Sequence, residues 1–454
     1  MEGDARLGSL LPSIRVPPPG PASRAMAERL ARVESRNVTY VSDEWPVFWD
    51  AAEGTNVRDV DANVYIDLTS AFGVALLGHS SALARAAIMR QARLLIHGMG
   101  DIHPPAAKVA TMERLGALMP WAQSRCVLSS TGSEAVETAL KTAHLATGRP
   151  GVLAFEGGYH GLTAGSLSVT ERAHFRAPFT RRTYAGVGFV PFPGRNGTAV
   201  DESLQLAKDF LRSGAPNGDP IGAVIVEPVQ ARGGVRIPPV GFMAELGELT
   251  REAGALLVAD EIMTGLGRCG GVLASHRVGL VPDIVCLGKA LGGGMPISAC
   301  VGRADVMDAW PMSGGEAIHT STFLGHPLAC AVAVDFLDLL ASGGVCDEVE
   351  AEGTRLLEIF SDDTAAIDGV RAIRGMGLLI GIELEHRTHE RSGWGAEIAR
   401  EALRQGLITL PAGDEGNVLE LTPPLGLTNE QMAFTGRTLA GAITRVMEPA
   451  GRGA

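Results

Sequence analysis

Four lysines serve the whole chain: Lys108, Lys141, Lys208 and Lys289. Every other basic residue is arginine, which stays protonated, so chemistry that needs a deprotonable amine must use one of these four. Three sit in helical patterns among Ala, Leu, Thr and Asp, where solvated lysines are ordinary. Lys289 differs. It follows the apolar run Ile284-Val285-Cys286-Leu287 and precedes Gly292-Gly293-Gly294. A lysine there has room for a bulky group on its amine, and low dielectric with cationic neighbours would depress its pKa toward a nucleophile. Asp260 and Glu261 close a second apolar run, Leu256-Leu257-Val258-Ala259. A carboxylate at a buried strand end is costly unless a cation faces it. Its plainer reading is a cap on the following turn.

Two further runs add to these. Ser129-Ser130-Thr131-Gly132-Ser133-Glu134 precedes a helical pattern at Ala135–Ala146. Free N–H groups and the helix dipole make such a start an anion site, or a plain N-cap. After Gly151–Phe155 comes Glu156-Gly157-Gly158-Tyr159-His160-Gly161. Two glycines before an aromatic let a flat ligand approach the Tyr159 ring, or simply make a turn with a packed tyrosine. Together the four runs supply a phosphate cradle, a stacking ring, a carboxylate for a protonated ring nitrogen and a Schiff-base lysine. Those are the parts a pyridoxal phosphate site needs.

The elements that must position them alternate. From about 106 to 335, helical segments separate short apolar runs, including 151–155, 223–226, 255–259 and 284–287. Runs this short, flanked by Gly or Pro, fit strands buried on both faces of a mostly parallel sheet, and ligands bind beyond the carboxyl ends of such strands. The expected fold class is α/β: a mostly parallel central sheet flanked by helices, with a smaller α+β domain built from both chain ends. The expected boundaries are a flexible Gly/Pro-rich lead-in at 1–24, the first part of the small domain at 25–80, the large domain at 81–335 and the rest of the small domain at 336–454. Val47–Leu68 reads as short strands around an Asp/Asn turn, Ala82–Ile96 as a helix, Gly377–Leu384 as a strand and Asn429–Met447 as a closing helix.

Composition sets limits. The chain has 454 residues, 46% of them apolar, and 39 Lys+Arg against 51 Asp+Glu for a net charge of −12. That buries a large core and offers no cationic excess for nucleic acid. The longest apolar stretch, Leu328–Leu340, is broken by Asp335 and Asp338, so no membrane span is expected. The N-terminus lacks the order of a signal peptide. Six scattered cysteines form no C-x-x-C pair, which reads as reduced thiols and no metal site. A cytoplasmic location is the expectation.

The motifs resemble the class III aminotransferases of the fold type I pyridoxal phosphate enzymes, the group of ornithine and 4-aminobutyrate aminotransferases. S-T-G-S-E-A at 130–135, G-Y-H-G at 158–161, V-E-P-V-Q at 226–230, A-D-E-I-M-T-G-L-G-R at 259–268, G-K-A-L-G-G-G-M-P at 288–296, the H-T-S-T-F segment from His319 and P-P-L at 423–425 occur in the family's order. The resemblance implies that Lys289 bonds the cofactor and moves the proton, that Asp260 pairs with the ring nitrogen, and that Ile262 and Tyr159 cover the two ring faces beside His160. It implies that Thr131, Gly132 and Ser133 hold the phosphate, joined by Thr322 from the partner subunit of a homodimer. Gln230 would sit near the ring hydroxyl, with Glu227 supporting the site. The implied reaction moves an amino group between an amine or amino acid and a 2-oxo acid or other carbonyl acceptor. A racemase, epimerase or aminomutase on the same scaffold is the alternative, and a non-catalytic binder is opposed by the intact Lys289 and Asp260.

Three positions depart from the family and concern substrate. Leu162 stands where relatives have an arginine, Arg232 where they have a glutamate, and Glu420 where they have an arginine. The last two are reciprocal, so Arg232 and Glu420 are expected to act as an inverted ion pair. His79, His97, His103 and His319 read as core or pocket-wall histidines.

Overall fold

Two asparagines decide how the chain begins. Strands β1 (Trp49–Glu53), β2 (Asn56–Asp59) and β3 (Val64–Asp67) form an antiparallel meander. The β2–β3 turn closes on Asp59, whose Oδ1 accepts the Asp61 and Asn63 N–H groups at 3.0 and 2.8 Å. The Asn56 side chain accepts from the Gly8 and Leu10 N–H groups, that of Asn63 from those of Arg15 and Val16. Ser13 pairs with Val64. The lead-in expected to be flexible is therefore hydrogen-bonded from Gly8 onward and runs into a helix, Pro21–Val33. This computed structural model describes residues 7–385 and 393–447. Residues 1–6 of the lead-in lie outside that range.

The chain divides into two units. One takes the residues up to Ser81 and from Ala351 on, and the other is Ala82–Glu350. The central unit carries a seven-stranded sheet of β4 (Ser124–Ser129), β5 (Gly151–Phe155), β6 (Val187–Val190), β7 (Ile221–Val226), β8 (Leu256–Asp260), β9 (Ile284–Leu287) and β10 (Ser298–Arg303). Their order is β4-β10-β9-β8-β7-β5-β6. Five neighbours run parallel, and β10 is antiparallel to both β9 and β4. Strands β5, β7 and β9 are buried at every position, as a sheet covered on both faces requires. The helix Gly132–Thr147 lays Ala135, Val136, Ala139 and Ala143 on the sheet core. A capping box between Thr131 and Glu134 starts it, and Gly148 in the left-handed region (φ 67°) ends it. The helix expected to run to Ile96 stops at Ala92.

The helix Pro327–Ala341 belongs to this central unit, where Ala331 and Val332 pack on Ala84 and Ala87. The unit therefore ends at 350 rather than 335. Asp335 and Asp338, which interrupt the apolar stretch, pair with Arg90 and Arg114 at 2.8 and 2.6 Å. No single helix among the described residues is long and apolar enough to cross a membrane.

The chain then returns to the terminal unit with β11 (Val370–Met376), β12 (Leu379–Leu384), β13 (Leu407–Ile408), β14 (Leu410–Ala412) and β15 (Val418–Leu421). Here β13 extends the first meander, parallel to β3, while the other four form a sheet in the order β11-β12-β15-β14. The strand expected at 377–384 starts at Leu379, because Gly377 sits in a turn at φ 56°. The closing helix is Asn429–Met447.

Candidate active site

Each candidate cofactor residue of the central unit except Thr322 follows the carboxyl end of a strand at one end of the sheet. Thr131, Gly132 and Ser133 follow β4; Tyr159 and His160 follow β5; Glu227 and Gln230 follow β7; Asp260 and Ile262 close β8; Lys289 follows β9. Parallel strand direction alone brings these loops together.

Asp260 is buried, and its Oδ2 lies 2.7 Å from His160 Nδ1. Its Oδ1 accepts the Ile262 N–H at 3.1 Å, so the turn-capping reading holds as well. Burial lowers the His160 pKa, but the hydrogen bond and charge of Asp260, with the charge of Glu227, outweigh it and the net shift is upward. Thr170 fixes the same loop: its Oγ1 accepts the His160 N–H at 2.9 Å and donates to the Gly161 carbonyl at 3.0 Å.

Glu227 accepts the Tyr159 N–H at 2.9 Å through Oε1 and the Ala231 N–H at 3.1 Å through Oε2. One carboxylate thus ties the loop of Tyr159 to the turn that carries Arg232. Burial pushes the Glu227 pKa up to about 7 against the charge of His160. The half-buried Tyr159 ring meets Phe175 at 5.5 Å between centroids, and burial raises its phenol pKa while Arg232 and Arg172 pull it down. Arg172 lies 5.7 Å from the Phe175 ring. Leu162 is about half exposed, and its N–H donates to Ser133 Oγ at 3.2 Å.

Ile262 sits between the two ends of the site. A methyl group on Gly132 would lie 2.9 Å from Ile262 Cδ1, and one on Gly288 would lie 3.4 Å from Ile262 Cγ2. The glycines are what let this side chain fit between the helix start and the lysine turn. Lys289 adopts φ 44°, a left-handed conformation unusual for lysine, and its Nζ is 3.5 Å from Met263 Sδ. Ser298 Oγ donates to the Thr131 carbonyl at 2.6 Å and ties β10 to the helix start.

Pyridoxal phosphate fits these residues. The Gly132 and Ser133 N–H groups open a 16-residue helix, and no acceptor for either is found among the described residues. Gln230 donates from Nε2 to the Glu156 carbonyl at 2.9 Å, while its Oε1 is buried without a partner between Gly157 and Gly233. An unmet acceptor beside two glycines is ready for a ligand hydroxyl.

Two candidates follow none of these strand ends. Thr322 is exposed on a turn. Glu420 belongs to the terminal unit, buried in β15 opposite Gly381 and Leu410. Of the histidines, His79 is buried and bonds Asp67 at 2.8 Å, whereas His97 and His103 are exposed rather than core. Lys108 is not a solvated lysine: half-buried, it donates to the Gly100 carbonyl at 2.6 Å. Thr170, Ser298 and Met263 had no spacing that marked them in the sequence.

The aminotransferase class-III family model matches residues 39–443. The chain is a class III aminotransferase. It is 33% identical to a 4-aminobutyrate aminotransferase of Mycobacterium leprae, over 91% of this chain and 94% of that protein. To an acetylornithine aminotransferase of Methanopyrus kandleri the identity is 35%, over 88% and 95%. Among solved structures, an ornithine aminotransferase of Toxoplasma gondii superposes with a TM-score of 0.81 at 28% identity, covering 93% of this chain and 95% of that one. An amine transaminase of an uncultivated Pseudomonas species, solved with pyridoxal phosphate bound, gives 0.81 at 29%, covering 91% and 99%. The aminotransferase is thus a fold type I enzyme that uses pyridoxal phosphate to transfer amino groups. The isomerase alternative is not favoured.

Proposed function

We propose that the enzyme takes an amino group from a terminal or side-chain amine and passes it to a 2-oxo acid, with Lys289 and Asp260 as its catalytic residues. The bracketing of Ile262 by Gly132 and Gly288 carries this assignment, because it sets the anion-binding helix start and the lysine turn against one apolar side chain. The relatives named for 4-aminobutyrate, acetylornithine and 5-aminovalerate support the donor class.

Bound pyridoxal phosphate supplies an aldehyde that takes up amines and a ring that accepts the electrons left by proton removal. Lys289 Nζ would take the proton from the substrate carbon that bears the nitrogen and give it back on the far side of that nitrogen. Asp260, oriented by His160 and the Ile262 N–H, holds the proton on the ring nitrogen. Gly132 and Ser133 bind phosphate through backbone N–H groups, with Thr131 capping their helix. Gln230 Oε1 accepts the ring hydroxyl, Glu227 fixes both flanking loops, and Tyr159 and Ile262 cover the ring. Arg232 receives the substrate carboxylate near Tyr159, with Leu162 at the same end.

The functional assembly in this reading is a homodimer in which Thr322 of the partner subunit joins the phosphate site. Exposed Leu94, Ile96, Met99, Ile102, Ile318 and Phe323 on neighbouring segments of the central unit support a self-association face. Those segments are tied by Thr320 Oγ1 donating to Asp101 at 3.0 Å. Six free thiols support a reducing, cytoplasmic location.

The test is the absorption spectrum of the holoenzyme with L-glutamate, L-alanine, L-ornithine or a diamine added singly, without acceptor. Bleaching of the cofactor band by an amine donor, reversed by a 2-oxo acid, is the expected result. A band that none of the side-chain or terminal amines bleaches, while L-alanine does, overturns the donor assignment.

A further inference from the structure

The helix whose first turn cradles phosphate also holds a second element along its flank. Trp310 donates from Nε1 to Thr142 Oγ1 at 2.9 Å. Nine residues on, His319 lies 5.5 Å from the Trp310 ring and meets both Thr138 and Lys141. Between these anchors the segment arches over a cavity of about 230 Å³ lined by Val127, Met312 and Ile318. Three residues after His319 comes Thr322.

The hydrogen bonds fix the state of the imidazole. Lys141 Nζ lies 3.3 Å from His319 Nδ1, and an ammonium can only donate, so Nδ1 accepts. The imidazole proton is then on Nε2, 3.1 Å from Thr138 Oγ1. Thr138 can accept it because its own hydroxyl hydrogen goes to the Glu134 carbonyl at 2.9 Å. A second proton on His319 would break the Lys141 bond and set two cations side by side. Burial and the Lys141 charge both lower the His319 pKa; Glu134 and Glu137 on the same helix oppose them. Glu316 lines the cavity beside His319, and Asp101 holds the adjacent Thr320.

We propose that neutral His319, clamped between Thr138 and Lys141, is a positioning residue that fixes the turn carrying Thr322 for the cofactor phosphate of the neighbouring chain. The inference rests on the dimer reading above, in which Thr322 serves that phosphate. It gives one helix two tasks. Its N-terminus binds one phosphate, and its flank sets the hydroxyl that reaches the other.

The experiment follows cofactor release from the holoenzyme, as loss of visible absorbance on dilution, with the dimer mass checked by light scattering. His319→Leu is expected to release cofactor about tenfold faster with the dimer intact, and His319→Gln, which can still accept and donate, much less so. Thr322→Ala should speed release similarly, and the double variant no more than Thr322→Ala alone. In the wild type, release should gain an acid-side rise that His319→Gln lacks. Additive effects, normal retention in His319→Leu, or a dimer that falls apart in that variant would each overturn the clamp. Normal retention in Thr322→Ala would overturn the underlying dimer reading instead, whatever His319→Leu does.

Discussion

Asp260 gives its two carboxylate oxygens to different partners: Oδ2 faces His160 Nδ1 at 2.7 Å and Oδ1 accepts the Ile262 N–H at 3.1 Å. Backbone and imidazole together orient a carboxylate that would otherwise be costly to bury. His160→Leu leaves Asp260 with one partner fewer. Turnover should fall about ten- to a hundredfold, with a changed cofactor spectrum, measured by steady-state kinetics and absorbance.

Lys289 combines the proposed catalytic amine with a left-handed backbone. Lys289→Ala and Lys289→Gly should both lose at least about 10²-fold in activity. Their stabilities should differ. Glycine relieves φ 44° and alanine does not, so Lys289→Gly should be the more stable of the two by about 1 kcal/mol in urea unfolding.

Glu227 predicts a pH dependence. Its folded pKa, about 7, lies above that of an unfolded glutamate. The native state keeps a proton that the unfolded chain has released, so the stabilisation present at acid pH is lost as pH rises toward 7. The loss should be on the order of 2–3 kcal/mol. Glu227→Gln cannot accept both the Tyr159 and Ala231 N–H groups and should be less stable throughout, yet flatter between pH 4.5 and 7. Urea titrations across that window compare the slopes; equal slopes would remove Glu227 as their source.

Gly132→Ala should spare the fold and weaken the cofactor. The added methyl meets the flexible end of Ile262 at 2.9 Å, which can yield, and Ile262 is the side chain that also borders Gly288. The expected outcome is near-normal thermal unfolding of the apoenzyme with about tenfold faster cofactor release. Unchanged release would show that Ile262 is not a wall of the ring site.

The proposed reading of Arg232 and Glu420 as a reciprocal pair predicts functional coupling. Arg232→Glu alone should lower kcat/KM, and adding Glu420→Arg should restore part of it. Purely additive effects across that double-mutant cycle would separate the two positions.

The candidate site is legible in the sequence through what surrounds its residues. Lys289, Asp260 and Tyr159 each follow a short apolar run beside glycines, and strand direction then gathers such residues at one sheet end. The bond between His160 and Asp260 joins residues a hundred positions apart, and no local pattern carries it. Ser298 and Thr170 were hidden for the same reason. Nothing in a local apolar pattern states that β10 runs against its neighbours. Gly and Pro in the lead-in describe local stiffness; what holds it are Asn56 and Asn63, more than 40 positions away.

The terminal unit is made from the two ends of the chain, and that sets an order of assembly. Strand β3 pairs with β13, so its outer edge has no partner until Leu407 and Ile408 have been synthesised. The intervening stretch of roughly 340 residues takes on the order of tens of seconds to translate. The central unit, which ends at Glu350, is complete before then. On the ribosome the first meander must therefore wait, with one edge open, for the last part of the chain to arrive.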